Sequence, residues 1–147
     1  MNEIIFRGKR TDTGDWIFGS LCYYRFDGVK EAKPCIHISN LGYIKNGFYE
    51  VDPKTIGQFS GLSDSNGNNI FEGDIVKSNG KSYLVIFWCG MFYASVEECN
   101  NKIYGGFPLH ALTINADDDK ICEIIGNSID NSDLLINDIK HGRNRKN

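Results

Sequence analysis

Apolar and polar residues alternate with a period of two along most of the chain, and turn-forming residue pairs interrupt this alternation repeatedly. A period of two is typical of strands with one buried face, and Asn-Gly or Asp-Gly pairs favour the tight turns of β-hairpins. No ten-residue segment has the apolar spacing of an amphipathic helix. The pattern therefore predicts a mostly β protein, a barrel or sandwich of short antiparallel strands rather than a parallel α/β fold.

The predicted strands lie at residues 4–7, 16–24, 34–38, 48–51, 56–62, 70–76, 83–88, 91–96, 109–114 and 121–125. One short helical turn is predicted near residues 131–135, where Asn131 or Ser132 can cap it. We expect one β domain at residues 1–138, with hairpins in residues 1–62 and a second β part in residues 63–138. The polar segment at residues 139–147 is predicted to be disordered.

The composition is that of an ordinary globular protein, because 41% of the residues are hydrophobic and 12% are aromatic. A formal net charge of -3 is too small to attract a polyanion or an anionic membrane strongly. No apolar run approaches the ~18 residues that a membrane span needs, and the first residues lack the pattern of a signal peptide. We therefore expect a protein without a membrane partner.

Five cysteines are scattered along the chain, and none belongs to a Cys-x-x-Cys pair. Cys22, Cys89 and Cys122 lie in strand-like apolar runs, so we interpret them as small buried hydrophobic residues. An odd number of scattered cysteines is typical of a reducing compartment. The cysteine pattern therefore predicts a cytoplasmic protein.

Three segments of the chain resemble one known family. The first combines residues 6–10 (Phe-Arg-Gly-Lys-Arg) with residues 16–21 (Trp-Ile-Phe-Gly-Ser-Leu). The second and most specific runs from residue 51 (Val-Asp-Pro-Lys-Thr-Ile-Gly-Gln-Phe-Ser-Gly-Leu) through Asn66-Gly67 to residues 70–76 (Ile-Phe-Glu-Gly-Asp-Ile-Val). The third combines residues 125–127 (Ile-Gly-Asn) with residues 133–135 (Asp-Leu-Leu). Together they span most of the chain, which resembles the YopX family of phage and prophage proteins.

The resemblance implies a compact β fold with an SH3-like barrel, expected in residues 63–138 after an N-terminal β-meander. It also implies a protein that a phage or prophage encodes and that acts in the host cytoplasm, but it implies no enzymatic activity. Two segments depart from the family pattern. Residues 131–133 lack a proline that relatives often carry, and residues 27–47 look peculiar to this sequence, so no partner contact there follows from the resemblance.

Asp64, Glu72 and Asp74 are the candidates for paired carboxylates, because a hairpin can bring two of them together for acid–base catalysis or a metal ion. Their turn-rich surroundings favour a structural role, in which Gly73 takes a positive φ and the acids bind nearby backbone N–H groups. No histidine or further ligand lies near them in the sequence. We therefore expect the structural role.

Cys35 and His37 point to the same face of a predicted strand, and with Cys22 they supply three of the four ligands of a zinc site. Strand alternation is the simpler interpretation. His110 is interpreted as a half-buried strand residue and His141 lies in the polar tail, so we expect neither to act as a base. Motifs of hydrolases and nucleotide-binding loops are absent. The sequence predicts no catalytic residue, metal ligand or cofactor, and a protein that is not an enzyme.

Nucleic-acid binding is the alternative function. The tail is basic without an acidic residue, and aromatic residues on predicted strands can stack on bases. Against this stand the net negative charge, the acidic run at residues 117–119 and the absence of basic residues among these aromatics. The candidate residues are Lys140, Arg143, Arg145 and Lys146 in the tail and Tyr83, Phe92 and Tyr93 on the strands.

A protein-interaction or assembly role is the favoured function, because small β proteins present sheet edges and aromatic surfaces to other chains. The partner is expected to be a host protein or a second copy of the chain. Trp16 and Trp88 are interpreted as core residues rather than contact residues, since each lies in an alternating strand.

Overall fold

The computed structural model describes residues 3–38, 47–95, 98–99, 102–103, 106–113 and 122–135. Strands account for most of these residues, which confirms the predicted mostly β class. The chain divides into two compact units, unit 1 at Met1–Phe59 and unit 2 at Ser60–Asn147. The predicted division between the N-terminal hairpins and the second β part lies nearby, after residue 62.

Unit 1 contains β1 (Phe6–Lys9), β2 (Trp16–Tyr24), β3 (Lys33–His37), β4 (Phe48–Glu50) and the first half of β5 (Gly57–Ser63). These strands form an antiparallel sheet in the order β4-β3-β2-β1-β5. β2 has the predicted bounds, because Gly14 with its φ of 76° lets the chain reverse just before the strand. A 3-10 turn at Pro53–Thr55 precedes β5, and the Asp52 side chain caps it by accepting the N–H of Lys54.

Unit 1 buries Ile36 and Val51 completely. Two glycines allow the close backbone approach that this small core requires. A Cβ atom at Gly8 would lie 2.9 Å from Cβ of Val51, and one at Gly19 would lie 2.3 Å from the carbonyl oxygen of His37. The packing of unit 1 therefore depends on positions in its strands that carry no side chain.

Unit 2 contains the second half of β5, β6 (Asn69–Phe71), β7 (Asp74–Ser78), β8 (Lys81–Trp88), β9 (Met91–Ser95), β10 (Glu98–Cys99), β11 (Lys102–Ile103), β12 (Gly106–Pro108) and β13 (Glu123–Asn127). Its main sheet has the antiparallel order β12-β9-β8-β7-β13, and β10 and β11 form a separate pair. Two-residue turns join β7 to β8 and β8 to β9. Their residues Asn79, Gly80, Cys89 and Gly90 all have positive φ, as type I′ turns require.

The last strand of the main sheet in chain order, β13, lies next to the first one, β7. β13 pairs with β7, with a register shift between Ile124 and Gly126. Within the described residues β13 does not pair with β12, so the sheet is open there and the SH3-like barrel stays a prediction. One buried cluster of this unit comprises Ile70, Val76, Tyr83, Val85, Ala94, Leu109, Leu112 and Cys122, and Phe71 and Ile75 are buried as well.

The predicted strand at residues 109–114 is wrong, because His110–Thr113 forms the short helix α1. A short apolar run does not distinguish a strand from a helix by its periodicity. The helical turn predicted near residues 131–135 is present at residues 133–135, where Leu134 donates its N–H to the carbonyl of Asn131. No helix within the described ranges is both long and apolar enough to cross a membrane.

Candidate interaction surface

The hairpin of β8 and β9 carries exposed apolar side chains at its end, which we call the hairpin tip (residues 87–91). Phe87 is 47% exposed, Trp88 is 52% exposed and Met91 is 44% exposed. In the strand register Phe87 lies opposite Phe92, and Trp88 lies opposite Met91. Because cross-strand neighbours share a face and alternate residues face opposite ways, Phe87 and Trp88 extend from the two different faces of the hairpin.

The hairpin tip projects beyond the strands that flank it. On one side β7 pairs with β8 only as far as Leu84, and the N–H of Gly73 then donates to the carbonyl of Val85. On the other side β12 reaches Tyr93, and the N–H of Leu109 donates to the carbonyl of Phe92. Past these contacts, no backbone hydrogen bond joins the tip to a neighbouring strand in the part of the chain that the structure describes.

Ring contacts at the base hold the side chains of the hairpin tip in place. The ring centroids of Phe87 and Phe92 are 5.0 Å apart, and those of Trp88 and Tyr93 are 5.6 Å apart, both edge to face. Contacts of this kind are worth about 0.5–1.5 kcal/mol beyond the area they bury. The exposed rings are therefore fixed in position before a partner arrives.

The sequence of the hairpin lacks the charged residues and prolines that commonly prevent sheet edges from pairing with other chains. From residue 83 to residue 96 the chain has no charged residue and no proline. Native sheet edges are commonly shielded by charged side chains or proline, because an unshielded edge pairs with other chains. Contiguous exposed apolar surface is typical of contacts with other macromolecules, of ligand grooves and of aggregation-prone sites. The hairpin tip is therefore the candidate interaction surface.

The predicted aromatic face for nucleic acid is wrong for Tyr83, whose ring is buried and lies 5.2 Å from that of Phe107. Tyr83 pairs with the core residue Val76 in the register of β7 and β8, so it shares the core face. Tyr93 and Phe92 are half-buried. The tail candidates Lys140, Arg143, Arg145 and Lys146, together with His141, lie outside the described residues.

Three further interpretations need correction. Trp88 was expected in the core but is exposed, since its strand runs past the sheet. Cys89 was expected to be buried, yet it is an exposed turn residue with a φ of 48°. His110 was expected on a strand, but it begins α1 with an exposed side chain. Among the other residues of these interpretations, Cys122 is buried, whereas Trp16 and Cys22 are half-buried.

Asp64 is a fully buried carboxylate, and each of its two oxygens accepts two hydrogen bonds. Its Oδ1 accepts the backbone N–H of Asn66 at 3.0 Å and of Asn68 at 2.8 Å. Its Oδ2 accepts the N–H of Ile124 at 3.1 Å and the side-chain amide of Asn68 at 3.4 Å. The carboxylate therefore shapes the β5–β6 turn and also ties that turn to β13.

Burial acts to raise the pKa of Asp64, but the hydrogen bonds from Ile124, Asn68 and Asn66 outweigh it and hold the pKa below its ordinary value. An Asp pKa that is lower in the folded chain than in the unfolded chain stabilises the fold above the unfolded value of about 4. This contribution is lost as pH falls through the folded pKa, because the carboxyl group is then protonated in the folded and the unfolded chain alike.

We therefore expect unit 2 to lose stability in acid through Asp64. Urea unfolding at a series of pH values from about pH 6 down to about pH 2.5 measures the loss. The Asp64→Asn variant does not titrate at this position, so its unfolding free energy should fall less over the same range. Equal losses in the variant and the wild type would contradict this account of the acid sensitivity.

Asp74, a second acid of the predicted carboxylate group, has the expected structural role. Gly73 has a φ of 87°, and Oδ2 of Asp74 accepts the N–H of Phe71 at 2.8 Å. Asp64 and Asp74 thus both bind backbone N–H groups of turns. Among the described residues, no group of three or more His, Cys, Asp or Glu side chains is arranged to hold a metal ion.

The cysteines of the rejected zinc site lie opposite each other on β2 and β3. Cys35 is fully buried, and the thiol of Cys22 lies 3.7 Å from the carbonyl oxygen of Cys35. Burial raises the pKa of both thiols, which makes them poor nucleophiles and poor metal ligands at neutral pH. The His37 ring stacks on Phe48 at 4.6 Å, so this pair completes an aromatic contact instead.

A family model matches most of the chain. The family model described as YopX protein matches residues 5–136. The chain belongs to the YopX protein family. This YopX family member also resembles the crystal structure of protein EF1440 from Enterococcus faecalis, with a TM-score of 0.48 and 18% sequence identity over 92% of this chain and 99% of that one. No curated protein matches the chain.

Proposed function

We propose that this YopX family member is a non-enzymatic protein-interaction or assembly module, and that the hairpin tip is its contact surface. The observation that carries the proposal is the exposure of Phe87, Trp88 and Met91 on a hairpin that ring contacts hold in place. Large aromatic anchors contribute most of the affinity at protein interfaces. The proposal invokes binding alone and no catalytic step.

The chemistry of the hairpin tip defines the partner. Residues 83–96 carry no charge, so the tip has no group that would attract either an acidic or a basic surface of a partner. A suitable partner supplies an apolar pocket for Trp88, or a strand edge that continues the unpaired end of the hairpin. A second copy of this chain meets the second requirement, and a host protein can meet either.

The biological setting is part of the same proposal. We place the protein in the cytoplasm of a host cell that carries a phage or prophage, as the family resemblance implies. We also propose that unit 2 is the SH3-like barrel of the family. Its strand order supports this, because β7, β8 and β9 follow one another and β13 returns to pair with β7. Closure then requires contact between β12 and β13, the two outer strands.

The test is a binding assay whose signal depends on Trp88. The wild-type chain is immobilised and offered a labelled second copy or a host extract, and the Trp88→Ser variant is treated in parallel. We expect the variant to retain each specific partner at least tenfold more weakly, as for a central aromatic anchor. Circular dichroism confirms that the variant is folded.

The matched control is Tyr23→Ser, which removes a 71% exposed aromatic ring from unit 1. This control should retain the same proteins as the wild type, because Tyr23 does not belong to the hairpin tip. Retention that is equal for wild type, Trp88→Ser and Tyr23→Ser would contradict the assignment of the contact surface. Failure of the wild-type chain to retain either a second copy or any host protein would contradict the proposed function itself.

A further inference from the structure

The sheet of unit 1 brings aromatic and basic side chains together on one face. Lys9 lies opposite Trp16 and Arg7 lies opposite Phe18 in the register of β1 and β2. The same face continues across β3 and β4, since cross-strand neighbours point the same way. We call this surface the aromatic–basic face, and it comprises Arg7, Lys9, Trp16, Phe18, Tyr24, Lys33, His37 and Phe48.

Close contacts order the aromatic–basic face. The guanidinium carbon of Arg7 lies 4.8 Å from the ring centroid of Trp16, and the ammonium nitrogen of Lys9 lies 5.5 Å from it. Further along the face, the ring of Phe48 stacks on Tyr24 at 4.7 Å with an angle of 14° between the planes. Phe18 and Tyr24 remain 49% and 39% exposed. Phe18 and Tyr24 are thus two accessible rings on the same face of one sheet.

The charge of the aromatic–basic face is opposite to that of the whole chain. The face carries two half-buried lysines, Lys9 and Lys33, and the buried Arg7, and the cross-strand register adds only the acid Glu50, opposite Cys35. The chain as a whole has a net charge of -3. A polyanion is therefore attracted to this face although the remainder of the molecule repels it.

We propose that the aromatic–basic face binds single-stranded nucleic acid. Sheets that bind single strands combine exposed aromatic rings, on which bases stack, with basic side chains that follow the phosphates. Phe18 and Tyr24 supply the exposed rings, and Lys9 and Lys33 supply charge near each of them. The two rings are six residues apart on β2, or about 20 Å, which suits a site of several nucleotides.

This site is distinct from both the hairpin tip and the tail. It lies on the strands of unit 1, whereas the hairpin tip belongs to unit 2. Single-stranded rather than duplex nucleic acid is the expected ligand, because stacking on Phe18 requires bases that are not paired inside a helix. The proposal adds a second binding activity and does not depend on the proposed protein contact.

The test uses a fluorescently labelled oligonucleotide and the full chain. Anisotropy titrations with a twelve-nucleotide (dT) strand, a twelve-nucleotide (U) strand and a mixed-sequence duplex are run at several salt concentrations. We expect single strands to bind more tightly than the duplex, with affinity that falls as salt rises. Phe18→Ala should weaken binding about tenfold, as expected for the loss of one stacked base.

Substituted lysines report on the phosphate contacts. Lys9→Gln and Lys33→Gln should each reduce the slope of log affinity against log salt by about 0.7, the value for one phosphate contact on a single strand. Tyr23→Ala is the matched control, because Tyr23 is the neighbour of Tyr24 on the opposite face of β2 and is more exposed. Its affinity for the oligonucleotide should equal that of the wild type.

Several outcomes would overturn the proposal. These are failure of every single strand to bind at low salt, and binding that Phe18→Ala and Lys9→Gln leave unchanged. Binding lost on deletion of residues 139–147 but retained in the face variants would assign it to the tail. Loss of protein retention in the face variants without an effect on oligonucleotides would assign the face to a protein. The Phe18→Trp variant, which keeps a stacking ring, should bind as the wild type does and so excludes unfolding as the cause.

Discussion

Replacement of Asp64 by asparagine should lower the free energy of unfolding of unit 2 by about 3 kcal/mol. The Asp64 carboxylate acts as an acceptor in all four of its hydrogen bonds, two at each oxygen. Asparagine keeps the size of the side chain, but it replaces one acceptor oxygen of the carboxylate by an amide NH2 group, which is a donor. That new amide group would face donors such as the N–H of Ile124, and at least one buried N–H would lose its partner.

Tryptophan fluorescence allows the unfolding of each unit to be followed separately, because Trp16 belongs to unit 1 and Trp88 to unit 2. In a Trp16→Phe background, the fluorescence of Trp88 during urea unfolding of Asp64→Asn therefore reports on unit 2 alone. Asp130→Asn is the matched control, since Asp130 is an exposed turn acid whose Oδ2 accepts from the Asn127 side chain. It should change stability by less than about 0.5 kcal/mol. A loss below about 1 kcal/mol in Asp64→Asn would contradict the structural role of this acid.

Replacement of Gly19 by alanine should destabilise unit 1 by about 3 kcal/mol. The added Cβ atom would lie 2.3 Å from the carbonyl oxygen of His37 and 3.0 Å from a methyl carbon of Ile36. The nearer atom belongs to the backbone of β3, so relief requires a shift of a paired strand rather than a rotation of one side chain. Such a shift also disturbs Ile36, which is fully buried.

The fluorescence of Trp16 in a Trp88→Phe background measures this effect through the urea midpoint of unit 1. Ser20→Ala, at the next position of β2, is the control, because Ser20 is exposed and its change removes an oxygen without adding bulk near β3. The control should unfold within about 0.5 kcal/mol of the wild type. Equal stability of Gly19→Ala and Ser20→Ala would show that β2 and β3 separate more easily than the contact distance implies.

The features that the sequence predicted correctly depend on local signals. β2 has its predicted bounds because its alternation is long and a glycine turn precedes it. The turns at Asn79-Gly80 and around Gly73 follow from residues that tolerate positive φ. The role of Asp74 was also local, since its partner Phe71 is three residues away. Neighbouring residues were therefore sufficient to predict these elements.

The features that sequence reasoning missed depend on distant partners. Asp64 resembles other turn acids in sequence, and its burial follows from a hydrogen bond to Ile124, which lies 60 residues later. The uncharged run that contains Trp88 predicts a strand, but only the lengths of β7 and β12 show that its end leaves the sheet. Tyr83 was placed on an exposed face because alternation alone does not say which face is the core.

The aromatic–basic face was missed for a related reason. Along the chain, no basic residue lies between Tyr83 and Tyr93. In unit 1 the interleaving arises across strands, where Lys9 pairs with Trp16 and Arg7 pairs with Phe18. A hairpin register predicted from the turn at residues 11–15 would have revealed it, because that register follows from local turn geometry.

The pairing of β7 with β13 has a consequence for the order in which the chain is made. Every strand pair of unit 1 is complete once Gln58 has been synthesised, so its sheet is able to form while translation continues. β7 must wait for Glu123–Asn127, and until then its outer edge is open to strands of other nascent chains. We therefore expect ribosomes paused before residue 123 to carry nascent chains in which the sheet of unit 1 is folded and the outer edge of β7 is prone to aggregation. Synthesis of β13 then covers that edge.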